Sequence, residues 1–171
     1  MKALIVLCMA IVTWSVITTA QPPKQAVQPI TKPPVATKVV KQYGTSITTQ
    51  QLLNETNLWR VGNKLDPLTT NSMLEVSAKA KCGDMESRNY WSHYTPDGEE
   101  PWIFFRSAGY EYTKAGENLA RNLNTAHDVV VAWELSPTHN QNLLGNYKEV
   151  GYAVCYGQAG TIIVQHLGRT D

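Results

Sequence analysis

The chain of 171 residues has few cysteines and almost no excess charge. Three cysteines are too few for a small fold held together by disulfides. The composition, with 11 glycines and 17% charged residues, excludes a collagen-like helix and a charge-rich disordered protein. Because 15 basic and 14 acidic residues leave a formal net charge of +1, the protein lacks the positive field that a phosphate backbone requires. We therefore expect no nucleic-acid partner.

Residues 1–20 have the pattern of a secretory signal peptide. Lys2 precedes the apolar run from Ala3 to Val12, and small residues end the segment at Ala20. We expect cleavage after Ala20 and a secreted, extracellular protein. The alternative is an uncleaved membrane anchor, because apolar character extends to about 18 residues, the length at which a helix begins to span a bilayer. Four serine and threonine residues between positions 13 and 19 favour cleavage.

Residues 21–44 form a segment that is rich in proline and lysine. It holds five prolines and four lysines and no acidic residue, which predicts a disordered, semi-extended tether. Its lysines would suit contact with an anionic cell envelope or membrane surface. The remaining residues, 45–171, have the size of one domain with a single core.

Helical signals occupy most of this domain before residue 145. Thr48 and Gln51 have the spacing of a capping box at the start of a first helix. A second helix begins around residues 70–71 and places Cys82 on its apolar stripe. Pro101 and Thr125 mark the starts of two further helices.

The apolar pattern then changes to a period of two. Residues 150–156 alternate between large and small side chains, and glycines turn the chain at 157–160. Residues 161–167 are apolar on both faces, as in a central strand. Helices followed by a hairpin predict an α+β fold, with helices packed on an antiparallel sheet.

The cysteines are compatible with one disulfide. Removal of the signal peptide removes Cys8 and leaves Cys82 and Cys155. An even pair in an oxidising compartment predicts a bond between them. The alternative is two buried free thiols.

Polar residues capable of metal chemistry fall where the pattern predicts loops or the ends of elements. They are His93, Glu117, Asn118, Ser136 and His139. Two imidazoles and a carboxylate are the minimum set for a divalent metal site, since ring nitrogens bind the metal and the carboxylate orients a ring or activates water. A spacing of 46 residues between the histidines is not a metal motif, so the residues alone favour buried, hydrogen-bonded histidines.

Five segments between Leu52 and Gly168 occur in an informative order. They are Leu65-Asp66-Pro67-Leu68; Tyr90-Trp91-Ser92-His93 with Pro96-Asp97-Gly98; Ala115-Gly116-Glu117-Asn118-Leu119-Ala120; Trp133 with Ser136, Pro137 and His139; and Glu149-Val150-Gly151. Each segment is weak alone, but the five together resemble the bacterial branch of the CAP superfamily, also called the SCP domain family. This family comprises the cysteine-rich secretory proteins, antigen 5 and the pathogenesis-related proteins.

The resemblance implies an α-β-α sandwich with a cleft in which His93, Glu117 and His139 converge. In members of the family this cleft can take up zinc or another divalent cation. The resemblance also implies that Asn118 lies in a supporting position beside the cleft. Glu117 retains an architectural alternative, in which it caps a helical turn and holds Asn118.

One position departs from the animal and plant pattern. Those members carry a second glutamate three residues after the tryptophan, where this chain has Ser136, as bacterial members commonly do. Ser136 is therefore expected to support the cleft. Glu134 is the weaker substitute, because a helical residue directly after Trp133 points about 100° away from it.

Three functions compete on these grounds. The first is a secreted binding module whose cleft holds a divalent cation beside an apolar groove for a lipid or peptide. The second is a metal-dependent hydrolase or peptidase, in which Glu117 takes the proton of a metal-bound water. The third is a structural or adhesive surface protein that acts through its tether. We place binding first, and the residues name no specific ligand.

Overall fold

The computed structural model describes residues 46–157 and 160–171. The expected signal peptide, residues 1–20, and the expected tether, residues 21–44, lie outside the described residues and stay predictions. Among the residues that are described, no helix is long and apolar enough to cross a membrane.

Five helices and four strands make up the described part of the chain. The helices are α1 (Thr49–Gly62), α2 (Ser72–Ser87), α3 (Trp102–Ser107), α4 (Ala126–Glu134) and α5 (Pro137–Leu143). The strands are β1 (Thr69–Thr70), β2 (Lys114–Arg121), β3 (Glu149–Gly157) and β4 (Gly160–Arg169). They form one sheet in the order β1-β3-β4-β2, in which β1 runs parallel to β3 and the other pairs are antiparallel.

Local capping signals explain where the longer helices begin. The Thr48 hydroxyl accepts from the backbone N–H of Gln51 at 3.2 Å, and the Gln51 side chain accepts from the backbone N–H of Thr48 at 3.0 Å, which completes the predicted capping box. The Asn71 side chain accepts from the backbone N–H groups of Met73 and Leu74 and so caps α2, and the Thr125 hydroxyl accepts from that of Asp128 and caps α4. The predicted starts of these three helices are confirmed.

The sheet lies between two layers of helices. Helix α2 packs on β3 and β4, and α3 packs on α2. Helices α1, α4 and α5 pack on one another and on β2 and β3 from the other side. The alternation predicted for β3 divides its side chains between the layers: Val150 and Tyr152 join the core under α1 and α4, whereas Ala153 joins the core under α2. The predicted α+β fold and α-β-α sandwich are confirmed.

Two features bind α2 closely to the sheet. Gly151 lies against the backbone of Leu74 and Glu75, and a Cβ at this position would collide with both. Cys82 and Cys155 form the predicted disulfide, with Cα atoms 6.1 Å apart, which confirms the pairing between α2 and β3.

The structure corrects the expectation for Glu117. Glu117 and Asn118 lie within β2, where Glu117 stands opposite His166 of β4, and not in a loop or at a helical turn. The strand was not predicted, because Glu117 and Asn118 are polar but occupy buried positions, where a strand usually carries apolar side chains. Helix α5 was also not predicted, since only Leu143 within it is buried and its apolar periodicity is weak.

Candidate functional site

His93 lies in the loop between α2 and α3 and is held by β2. Its Nδ1 lies 2.5 Å from Oε1 of Glu117, while 46% of its side chain is exposed. A carboxylate accepts from Nδ1–H, so the contact assigns the neutral ring a proton on Nδ1 and an unprotonated Nε2. His93 therefore presents a ring nitrogen with a lone pair to solvent.

Glu117 is the buried centre of a hydrogen-bonded chain. Only 2% of its side chain is exposed, and its Oε2 accepts from Nε2–H of His166 at 2.9 Å. Because His166 donates through Nε2, its Nδ1 accepts from the Ser77 hydroxyl at 2.7 Å. The chain therefore runs from Ser77 through His166 and Glu117 to His93, and both carboxylate oxygens have a histidine partner.

The pKa values agree with an ionised Glu117 carboxylate beside a neutral His166 ring. Burial raises the pKa of Glu117, but hydrogen bonds from His166 and His93, together with the charge of Lys81, outweigh burial and hold the pKa below its usual value. Burial lowers the pKa of His166, and Glu117 opposes that shift only in part. Glu117 is therefore ionised and His166 neutral near pH 7.

His139 is placed by α5, which begins just after Ser136. Its Nδ1 lies 2.8 Å from the Ser136 hydroxyl. Its backbone carbonyl accepts from the Asn118 amide at 3.2 Å, and Asn118 also donates to Gln165 across the sheet. Burial lowers the pKa of His139, which keeps this ring neutral near pH 7.

Two cavities meet at His93. The first has a volume of about 310 Å³ and is lined by His93, His139, Trp91, Ser92, Tyr94 and Leu119. The second has a volume of about 380 Å³, shares His93 and Tyr94 with the first, and extends over Glu117, Glu100 and Trp102. The structure thus brings together the three residues that the resemblance grouped. Glu134, the last residue of α4, lines neither cavity.

The candidate metal ligands at the first cavity are two histidines, His93 and His139. Among the described residues, no three His, Cys, Asp or Glu side chains stand close enough to enclose a metal ion. Two imidazoles remain, and each is oriented through Nδ1 by a second residue, Glu117 or Ser136. Such partners fix the orientation of metal-binding histidines. A cation held by His93 and His139 would keep positions open to water or to a ligand.

Sequence reasoning missed the buried partners of the site. His166 is fully buried, and its bond to Glu117 was not predicted. Ser77 and Lys81 lie on the buried side of α2, three and seven residues after Leu74. A serine and a lysine on the apolar stripe of a helix were the available signal. His127 is exposed and contacts Glu55 at 3.0 Å.

Comparisons with known proteins agree with this architecture. The sequence model of the Cysteine-rich secretory protein family (CAP) matches residues 53–167. The uncharacterized protein YkwD of Bacillus subtilis is 36% identical over 117 residues, which are 68% of this chain and 45% of that protein. The chain thus spans about half the length of this relative.

Two solved structures superimpose on this chain and have the same fold. An outer surface protein from Borrelia burgdorferi superimposes with a TM-score of 0.66 at 22% identity, covering 71% of this chain and 92% of that one. An extracellular protein containing an SCP domain from Bacillus anthracis superimposes with a TM-score of 0.62 at 24% identity, covering 71% of this chain and 40% of that one.

Proposed function

The chain belongs to the cysteine-rich secretory protein (CAP) family, and from this premise we propose that it is a secreted binding module. His93 and His139 hold a divalent cation, zinc or a similar ion, at the mouth of the first cavity. The apolar groove of the same cavity, lined by Trp91, Tyr94 and Leu119, takes a lipid or peptide.

One observation carries the cation site. His93 and His139 line a single cavity; Nδ1 of His93 is oriented by Glu117 of β2, and Nδ1 of His139 by Ser136, the residue before α5. Within residues 46–157 and 160–171, neither Nε2 has a hydrogen-bond partner. When Nδ1–H of His139 donates to Ser136, both Nε2 lone pairs are available to a cation. A bound cation would supply a positive charge and open coordination positions there.

The groove beside the histidines has the character of a ligand site. Trp91 is 37% exposed and Tyr94 is 54% exposed, although both are large aromatic side chains. Together with Leu119 they line the cavity that the histidines enter. An apolar wall with a few convergent polar groups is the usual composition of a small-ligand pocket.

An extracellular location is consistent with three features. The Cys82–Cys155 disulfide suits an oxidising compartment. Two proteins of the same fold are described as an outer surface protein and an extracellular protein. Residues 1–20 carry the signal-peptide pattern. Contact of residues 21–44 with an anionic envelope surface belongs to the same proposal.

Calorimetric titration of zinc into the mature chain, residues 21–171, tests the cation site. We expect micromolar or tighter binding near neutral pH, and its loss in His93→Ala and in His139→Ala. His127→Ala is the matched control, because His127 is an exposed histidine outside both cavities. Binding that is absent, or that is lost equally in His127→Ala, would refute the proposed site.

Metal-dependent hydrolysis is the second candidate, since a site with two protein ligands leaves positions for water. The Glu117 side chain is only 2% exposed and both its oxygens already accept a hydrogen bond from a histidine, so the carboxylate is poorly placed to take a proton from a bound water. This engagement favours binding over hydrolysis. Peptide or ester turnover that disappears in Glu117→Gln while zinc affinity remains would reverse the order. The adhesive alternative depends on residues 21–44, outside the described part of the chain.

A further inference from the structure

Lys81 is a fully buried lysine in the middle of α2. Its ammonium points toward the loop that carries His93. Nζ donates to the backbone carbonyls of Ser92 and His93, each at 2.8 Å, and to the hydroxyl of Tyr90 at 3.2 Å. All three ammonium protons therefore have an acceptor in one short segment, residues 90–93.

The surroundings of the ammonium are arranged for a cation. Nζ lies 4.9 Å from the ring centre of Tyr90 and 5.4 Å from that of Phe104. The Tyr90 hydroxyl donates to Asp84 at 2.5 Å, so its oxygen remains an acceptor for Lys81. The negative charge of Glu117 acts on Lys81 as well.

A buried ammonium is costly, and packing alone does not require one. An apolar side chain of similar length would fill the same space without the cost of removing a charge from water. The ammonium adds hydrogen bonds to two consecutive backbone carbonyls, those of Ser92 and His93. His93 is thus held twice: its backbone by Lys81 of α2 and its ring by Glu117 of β2.

We propose that Lys81 is a positioning residue that sets the His93 ring against Glu117 and so presents Nε2 to the cleft. The inference rests on the proposed function where it concerns cation binding, but the orientation of His93 can be measured without any metal. Lys81→Met is the test variant, because methionine keeps the length and the aromatic contacts and removes the three donors.

The measurement is a long-range proton–nitrogen NMR correlation of the histidine rings, recorded without metal at a pH where the rings are neutral. In the parent protein we expect His93 to show a protonated Nδ1 and an unprotonated Nε2. In Lys81→Met we expect averaged nitrogen shifts for His93, because the loop no longer holds the ring against Glu117. Zinc affinity should fall at least tenfold.

Arg60→Met is the matched control. Among the described residues, Arg60 is a second buried cation that holds a loop, and it donates to the carbonyls of Leu143, Gly145 and Tyr147, none of them in residues 90–93. Its loss should lower the melting temperature but leave the nitrogen shifts of His93 unchanged. A general loss of stability would affect the two variants alike, whereas positioning affects only Lys81→Met.

Each outcome decides the inference. Parent-like His93 shifts in folded Lys81→Met would overturn it. Averaged His93 shifts in Lys81→Met would support the inference even if the parent binds no zinc. The absence of zinc binding would reject only the proposed function. If Lys81→Met does not fold, the parent is examined for an ammonium signal coupled across hydrogen bonds to the carbonyls of Ser92 and His93. Detection of this coupling supports the inference, and its absence overturns it.

Discussion

Replacement of Glu117 by glutamine perturbs the centre of the site while keeping its shape. The carboxylate accepts two hydrogen bonds, from His93 and His166. A hydrogen bond to a charged group contributes roughly 2 kcal/mol and a neutral one about 1 kcal/mol. Glutamine keeps one acceptor and turns its amide toward the other histidine, so two charged bonds become one neutral bond. We expect a loss of about 3 kcal/mol in the free energy of unfolding.

The loss has a definite dependence on pH. The folded-state pKa of Glu117 lies below its ordinary value, so its contribution is present above the unfolded-state pKa and is lost as the pH falls through the folded-state pKa. The stability difference between the parent and Glu117→Gln should therefore be largest near neutrality and shrink in acid. In addition, the variant removes one of the two negative charges, Glu117 and Asp84, that act on the buried ammonium of Lys81.

Urea unfolding at a series of pH values measures this difference. Glu100→Gln is the control, because Glu100 is an exposed glutamate that lines the second cavity without holding a histidine. We expect its unfolding free energy to stay within about 0.5 kcal/mol of the parent. A loss below about 1 kcal/mol in Glu117→Gln, or a difference that does not change with pH, would refute the reasoning.

Two further predictions concern the attachment of α2 to the sheet. Replacing Cys82 and Cys155 together by alanine opens a loop that the disulfide closes across a separation of 73 residues. By the loop-entropy model this should lower the free energy of unfolding, measured in urea, by about 4 kcal/mol. A loss under about 1 kcal/mol would contradict a stabilising bond. Gly151→Ala forces a methyl group into the backbone of α2 and should lower the free energy of unfolding by about 3 kcal/mol or prevent folding. Gly83→Ala is the control, because a Cβ there meets no atom within 4 Å. Equal melting temperatures of the two variants would refute the close approach.

The fold was predictable where local signals were strong. Capping residues such as Thr48 and Asn71 satisfy backbone N–H groups that any helix start exposes, so their spacing marks helix starts directly. The period of two after Gly145 identified the hairpin, because successive residues of a strand face opposite sides of the sheet. Strand β2 was missed, because Glu117 and Asn118 are polar and their burial depends on partners far away in the sequence.

The candidate site was predictable only in part. The resemblance selected His93, Glu117 and His139, and the structure brings all three to adjoining cavities. Spacing alone did not group them, because they come from a loop, a strand and a helix. Lys81 and His166 were missed, because a polar residue on a buried face indicates a partner without naming it.

Anomalous diffraction at the zinc absorption edge, from crystals of the mature protein grown with zinc, tests the central claim most directly. We expect one strong peak at the mouth of the first cavity, in contact with Nε2 of both His93 and His139, and no peak there in crystals of His139→Ala. A cavity without a peak, or a peak that contacts neither histidine, would contradict the account.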